Sequence, residues 1–305
     1  MELSWLSRLR LTLAVATGII LVCIVARPLA APMDPYSPVT LFQHRIALET
    51  VLTIAGLAFA AGFIAYFASW PYGREMAVVA APAGLAAIAF RSGSIADLMR
   101  MYPAAADRIA AYSAFRYEGF IWLAIIVAGI AGGLVARLVR IPTSRPNAVD
   151  PTDTLISPSP KVLLNAILAL CLATGIAYIA LAVFVKGVST PAASGKVSGE
   201  PLAPQIACGT IIAFGVAAFA IKLVFNFGWP ISLAATATLN FVLMLLASNS
   251  RLLTEMAEKW PAATLAQGTF GILPIQLVSF GTLGSVLGYW LAVRYNVWRK
   301  WVEVM

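Results

Sequence analysis

Charge is scarce in this sequence. Only 11% of its 305 residues are Asp, Glu, Lys or Arg, where a soluble domain carries roughly 25%, so a water-soluble globular fold is excluded. Histidine is nearly missing as well: the single His44 rules out a bis-histidine haem or a multi-histidine metal centre built from this chain alone. Three cysteines, Cys23, Cys171 and Cys208, fall singly inside apolar runs with no CxxC pair, and read as small hydrophobes, not as a redox or zinc site. No GxSxG elbow, HExxH pair or Walker loop occurs. The expectation is therefore no catalytic residue, no metal and no cofactor. The formal net charge of +8 comes without a basic cluster interleaved with aromatics, which argues against nucleic acid and for Lys and Arg at helix ends beside anionic headgroups.

What the chain has is apolar length. Hydrophobic residues make up 61% of it, gathered in blocks of about 20, the length a bilayer core demands. With no water there to satisfy the backbone, such blocks must be helices. The sequence predicts an all-α polytopic transmembrane bundle of about eight spans, near 9–27, 46–70, 71–91, 117–138, 162–185, 205–228, 230–248 and 270–293. Arg137, Arg140, Arg145 and Lys161, with Arg294, Arg299 and Lys300, fall on one side. That places both termini in the cytoplasm of a bacterial plasma membrane. Residues 141–161 contain five prolines and read as a linker dividing 1–140 from 162–305. The Gly-, Ser- and Pro-rich stretch after the fifth span reads as flexible.

The two halves match each other. Ala16-Thr17-Gly18-Ile19 aligns with Ala173-Thr174-Gly175-Ile176, Gly56 with Gly215, and Trp70-Pro71 with Trp229-Pro230. Beyond the third span, Ile95, Asp97, Leu98, Tyr102 and Pro103 align with Leu253, Glu255, Met256, Trp260 and Pro261, and Arg137 with Arg294. One order of features across such a length indicates two tandem four-helix units. An even helix count makes them parallel repeats, related by an axis near the membrane normal. Trp-Pro suggests a headgroup-level indole and a proline at the first position of the next helix. The stripe at 94–102 and its echo at 252–260 predict an interfacial amphipathic helix in each half. Gly129 with Gly133 and Gly284 with Gly288 predict close helix packing in the fourth helix of each unit.

Ionisable residues inside spans are the candidate polar sites. Glu49 and Glu118 lie toward the outer face, with His44 or Arg45, and Arg116 or Arg91, as the expected partners. Lys222, near the inner end of the sixth span, is expected to snorkel to the interface. Gln276 falls at the repeat equivalent of Glu118, and Asn165, Asn226 and Asn240 join it as candidates for interhelical hydrogen bonds. Tyr36, His44 and Glu49 together would suit a quinone headgroup. The leading expectation is a non-catalytic membrane subunit or scaffold, its partners being lipids, other membrane chains or a second copy of itself. A transporter or channel for a small neutral or apolar molecule is the alternative, favoured by the duplication and by Pro82 and Pro274 in or beside spans. A quinone-binding anchor is the remote third.

Overall fold

The computed structural model describes residues 5–30, 38–41, 48–92, 95, 104–140, 160–192, 195–199, 201–247 and 271–304. His44, linker residues 141–159 and nearly all of the two interfacial stretches lie outside them.

Nine helices occur among the described residues. Trp5–Gly18 (α1) winds on into a π-helical segment, Ile19–Val25, and a short turn of helix follows at Arg27–Ala30 (α2). The first half continues with Leu48–Ala68 (α3), Gly73–Phe90 (α4) and Ala105–Val139 (α5). The second contains Pro160–Phe184 (α6), Ala203–Phe225 (α7), Trp229–Ala247 (α8) and Pro274–Val304 (α9). Among the described residues, seven helical segments are long and apolar enough to cross a membrane: Trp5–Val25, Leu48–Ala68, Gly73–Phe90, Tyr117–Val139, Leu163–Phe184, Ala203–Phe225 and Pro274–Val302. The chain is thus an integral membrane protein. α8 covers the span expected at 230–248, but its apolar stretch among the described residues, Leu233–Val242, is shorter than a full crossing.

Local sequence explains most of the boundaries and several departures from expectation. Proline at the first helical turn costs no hydrogen bond, and α6 and α9 both begin on proline. At α8 the Trp229-Pro230 pair opens the helix as expected. Its counterpart Trp70-Pro71 does not: Tyr72 caps α4, so Pro71 sits in the turn before it. Asn226 ends α7 in the left-handed region (φ 54°), its N–H donating to the Lys222 carbonyl, a conformation asparagine tolerates better than most residues. The stretch read as flexible after the fifth span holds an antiparallel hairpin, β1 (Val188–Ala192) and β2 (Gly195–Gly199), with Val188 opposite Gly199.

Glycines set how the bundle packs. A β-carbon on Gly62 of α3 would strike the Gly129 carbonyl of α5, and one on Gly132 would strike the Phe59 carbonyl of α3. In the second half, one on Gly284 would strike the Ile211 carbonyl and one on Gly288 the Gly215 carbonyl, both on α7. The second and fourth helices of each half therefore meet backbone to backbone, as small residues permit. Gly133 instead faces the Ala77 methyl of α4, and Gly129 faces Ala81. α1 joins through Gly18, beside the Ala80 carbonyl. The halves are fused by one core: Leu273, Ile275, Val278 and Val286 of the α9 region pack in the same cluster as Ile54, Leu85, Trp122 and Ile126. Gly56, aligned by sequence with Gly215, has nothing within 4 Å of its would-be β-carbon.

Gly288→Ala should therefore separate α7 from α9, costing about 1–3 kcal/mol as other overpacked sites do. Gly56→Ala should be neutral or add up to ~1 kcal/mol through helix propensity. Thermal or SDS-driven unfolding of the two purified variants checks this; equal effects would show that the packing at Gly288 is not tight.

Candidate functional site

A buried polar cluster lies at the end of the bundle away from the N-terminus. It draws together the end of α4, the middle of α5 around Glu118, the start of α9 and a docked segment, Pro38–Leu41, whose four residues are all buried. Polar backbone in such a place needs internal partners, since neither water nor lipid supplies them. Ser92, just past α4, accepts the Val39 N–H at 2.9 Å through its hydroxyl oxygen. Glu118 accepts the Leu41 N–H at 3.1 Å. The same Glu118 oxygen, Oε1, accepts the indole N–H of Trp122 at 2.9 Å, one helical turn further along α5.

Glu118 is fully buried and so is Trp122. Sequence reasoning gave Glu118 an arginine partner, either Arg116 or Arg91. The structure corrects this: its two bonds come from a main-chain N–H and an indole, both neutral donors. Its second oxygen, Oε2, and the hydroxyl of Thr40 are buried without a hydrogen-bond partner. A carboxyl group so placed ties the docked segment to α5.

Gln276 lies at the same level but does a different job. Its Oε1 accepts the N–H of Leu273 at 3.1 Å, the return half of a capping box at the start of α9. Its amide N–H donates to the Ala89 carbonyl of α4 at 3.4 Å, joining the two halves. The last span therefore starts at Pro274, four residues later than sequence suggested, and its helix runs on to Val304.

The remaining candidates scatter. Glu49 is exposed in the first turn of α3, and its expected partners His44 and Arg45 are outside the described residues. Lys222 does not snorkel: it is 7% exposed, with its ammonium 5.2 Å from the Tyr289 ring centre of α9. The negative face of that ring attracts the charge. Asn165 and Asn226 are exposed, whereas Asn240 is buried. On α9 a buried polar row, Gln276, Ser279, Thr282 and Ser285, runs inward from the cluster. Ser279 and Thr282 donate to carbonyls of their own helix, and Ser285 lies 3.3 Å from Thr236 of α8. Cys23 is buried, Cys171 and Cys208 exposed.

At the opposite end, on the side of the N-terminus, arginines gather around Trp70. Arg10 donates to the Trp70 carbonyl at 3.0 Å, and the Arg140 guanidinium lies over the indole ring. Beside them a cleft of about 60 Å³ is lined by Tyr66, Arg74, Ala77, Val78, Ile130, Gly133, Leu134 and Arg137. Sequence analysis singled out Arg137 as a charge at a helix end and missed Arg74; the signal available was the basic residue four positions after Trp70, on the turn of the next helix.

Glu118→Ala should strand the Leu41 and Trp122 donors in an apolar interior and destabilise the protein by about 2–5 kcal/mol. Glu118→Gln keeps an acceptor and should cost less, about 1–3 kcal/mol. Melting temperatures with tryptophan fluorescence as the probe distinguish them; equal losses would remove the staple role. No protein-family model, no curated protein and no solved structure matches this chain.

Proposed function

We propose that the chain is a non-catalytic, membrane-embedded subunit that holds partner membrane chains. In this reading it comprises two tandem four-helix copies, crosses a bacterial plasma membrane eight times and keeps both termini in the cytoplasm. The observation that carries the reading is how Glu118 is used. A fully buried ionisable group is costly to place in a bilayer and is by default a functional one. Here it is spent on Leu41 and Trp122, inside the bundle, and Gln276 is spent on capping α9 and bridging to Ala89. Both are interior fasteners, which suits a rigid framework more than a moving pathway.

The working surface of such a subunit is its outside. The apolar windows of α1 and α6, the first helix of each half, are only 22% buried, against 72% for α9. They present Leu9 and Leu13, and Leu164 and Leu168, outward. Duplication draws support from the glycine contacts, since Gly132 over Phe59 and Gly284 over Ile211 have the same separation in sequence. An eighth crossing draws support from α8, whose 19 residues span about 28 Å at the helical rise, close to a bilayer core.

One observation favours transport of a small neutral molecule instead, namely the buried polar residues along α9, of which Ser285 meets Thr236 of α8. The two readings separate cleanly. Extracted in mild detergent, the protein should have a polypeptide mass, with bound detergent subtracted, above the 32.3 kDa of one chain. Alanine at Leu164 and Leu168 should reduce that assembly without lowering the melting temperature. A lone chain in every mild detergent, together with solute uptake by vesicles holding only this protein, would defeat the scaffold. The crossing number is checked by single cysteines at Ser4 and at Met305 in a background lacking Cys23, Cys171 and Cys208. An impermeant thiol reagent should reach both from the same side, and labelling from opposite sides would make the count odd.

A further inference from the structure

The cleft beside Trp70 has two chemistries in one place. Its floor is apolar, built from Val78, Ile130 and Leu134, and its mouth carries Arg74 from the first turn of α4 and Arg137 from the last turn of α5. Both arginines and Leu134 are exposed, so the cleft opens to the surface of the bundle. It lies where helices end: α3 stops at Ala68, α4 starts at Gly73 and α5 stops at Val139. Trp70, 42% exposed between Arg10 and Arg140, marks that level as the headgroup boundary, where indoles are enriched. Two arginines, Arg74 and Arg137, thus line a slot that continues downward into apolar helix surface, and two more, Arg10 and Arg140, engage the neighbouring Trp70.

We propose that this cleft holds one anionic glycerophospholipid, its phosphate between Arg74 and Arg137 and an acyl chain along Ile130 and Leu134. Each half of the site selects for part of that molecule. A zwitterionic lipid would fill the apolar floor but bring its own cation to a mouth built of two arginines. A free phosphate would meet the arginines, whose planar forks suit phosphate oxygens, and leave the floor empty. A lipid with a net negative headgroup satisfies both, as basic pockets between helices at a membrane boundary do. The site belongs to the first half alone. In the Trp70-Pro71 to Trp229-Pro230 register, Arg74 corresponds to Leu233 and Arg137 falls on Asn296, two positions past Arg294, so the second half lacks the Arg74 arm of the clamp. The inference needs only that the chain sits in a bilayer, and stands whichever function the protein has.

The test uses the full-length chain in mild detergent with equal amounts of palmitoyl-oleoyl phosphatidylglycerol and phosphatidylcholine, bound lipid being counted by native mass spectrometry. One phosphatidylglycerol should be retained over phosphatidylcholine by on the order of tenfold, the scale two boundary arginines give. Arg74→Gln with Arg137→Gln should bring the two lipids to parity, while Arg294→Gln should leave the preference unchanged. Leu134→Trp, which fills the cleft from its wall, should lower retention of both lipids. If the double glutamine variant is not monodisperse, the lysine pair Arg74→Lys and Arg137→Lys replaces it and must keep most of the preference. The proposal is overturned by equal retention in the unmodified protein or by a preference that survives loss of both arginines. It is also overturned by a preference lost equally on Arg294→Gln, by loss in a folded lysine pair, or by millimolar inorganic phosphate displacing the lipid, which would mark a free-anion site.

Discussion

The contact on which this bundle rests is between backbones. α3 and α5 in the first half, and α7 and α9 in the second, approach until a glycine on one helix faces a carbonyl on the other. In lipid there is no hydrophobic force to bring helices together, because the tails around them are as apolar as leucine; close packing and interhelical polar contacts must do it. Glycine maximises the first of these by removing the side chain at the crossing. Once α5 is seated on α3 and α9 on α7, the third helix of each half is positioned too. Gly129 and Gly133 receive the methyls of Ala81 and Ala77 from α4, and Gly281 lies beside Thr236 of α8.

From that frame the polar interior follows. α4 and α9 meet across the halves, which puts the Ala89 carbonyl within reach of Gln276 and leaves Ser92 free to receive the docked segment at Val39. Each of these bonds removes a main-chain donor or acceptor that would otherwise be stranded. The side chains concerned, Ser92, Glu118 and Gln276, come from three different helices, yet all act on backbone: a serine oxygen, a carboxylate and an amide complete what the helices and the turns cannot complete for themselves. The opposite end of the bundle is organised by charge, with Arg10 and Arg140 both engaging Trp70.

The spans were legible because apolar length is a local property, and the helices α3, α4, α6 and α7 fall close to where the runs of hydrophobic residues put them. The packing glycines were legible in part. Gly284 and Gly288 appear as a step of four on one helix, and both meet α7. Gly132 was passed over because it breaks that spacing, although its contact with Phe59 matches Gly284's with Ile211. Partners were the least legible. A search for charges near Glu118 returns arginines, but its actual donors are an indole one turn away and the backbone of Leu41, separated by 77 positions, and backbone donors carry no mark in a sequence. Lys222 misled for a related reason: only the fold places Tyr289 where its ring can receive the ammonium. The hairpin at Val188–Gly199 was hidden by a composition of Gly, Ser and Pro that ordinarily signals a loop.

The position of α9 has a consequence for how the protein is made. It packs against α4, α5, α7 and α8, and it is the most buried of the spanning helices, yet it leaves the ribosome after all of them. Until it inserts, the first half has no neighbour for Ala89, Thr236 has no Ser285, and the Ile211 and Gly215 carbonyls of α7 have no Gly284 or Gly288 against them. A nascent chain that has released α1 to α8 is thus a membrane protein with its polar groups and its backbone-matched grooves uncovered.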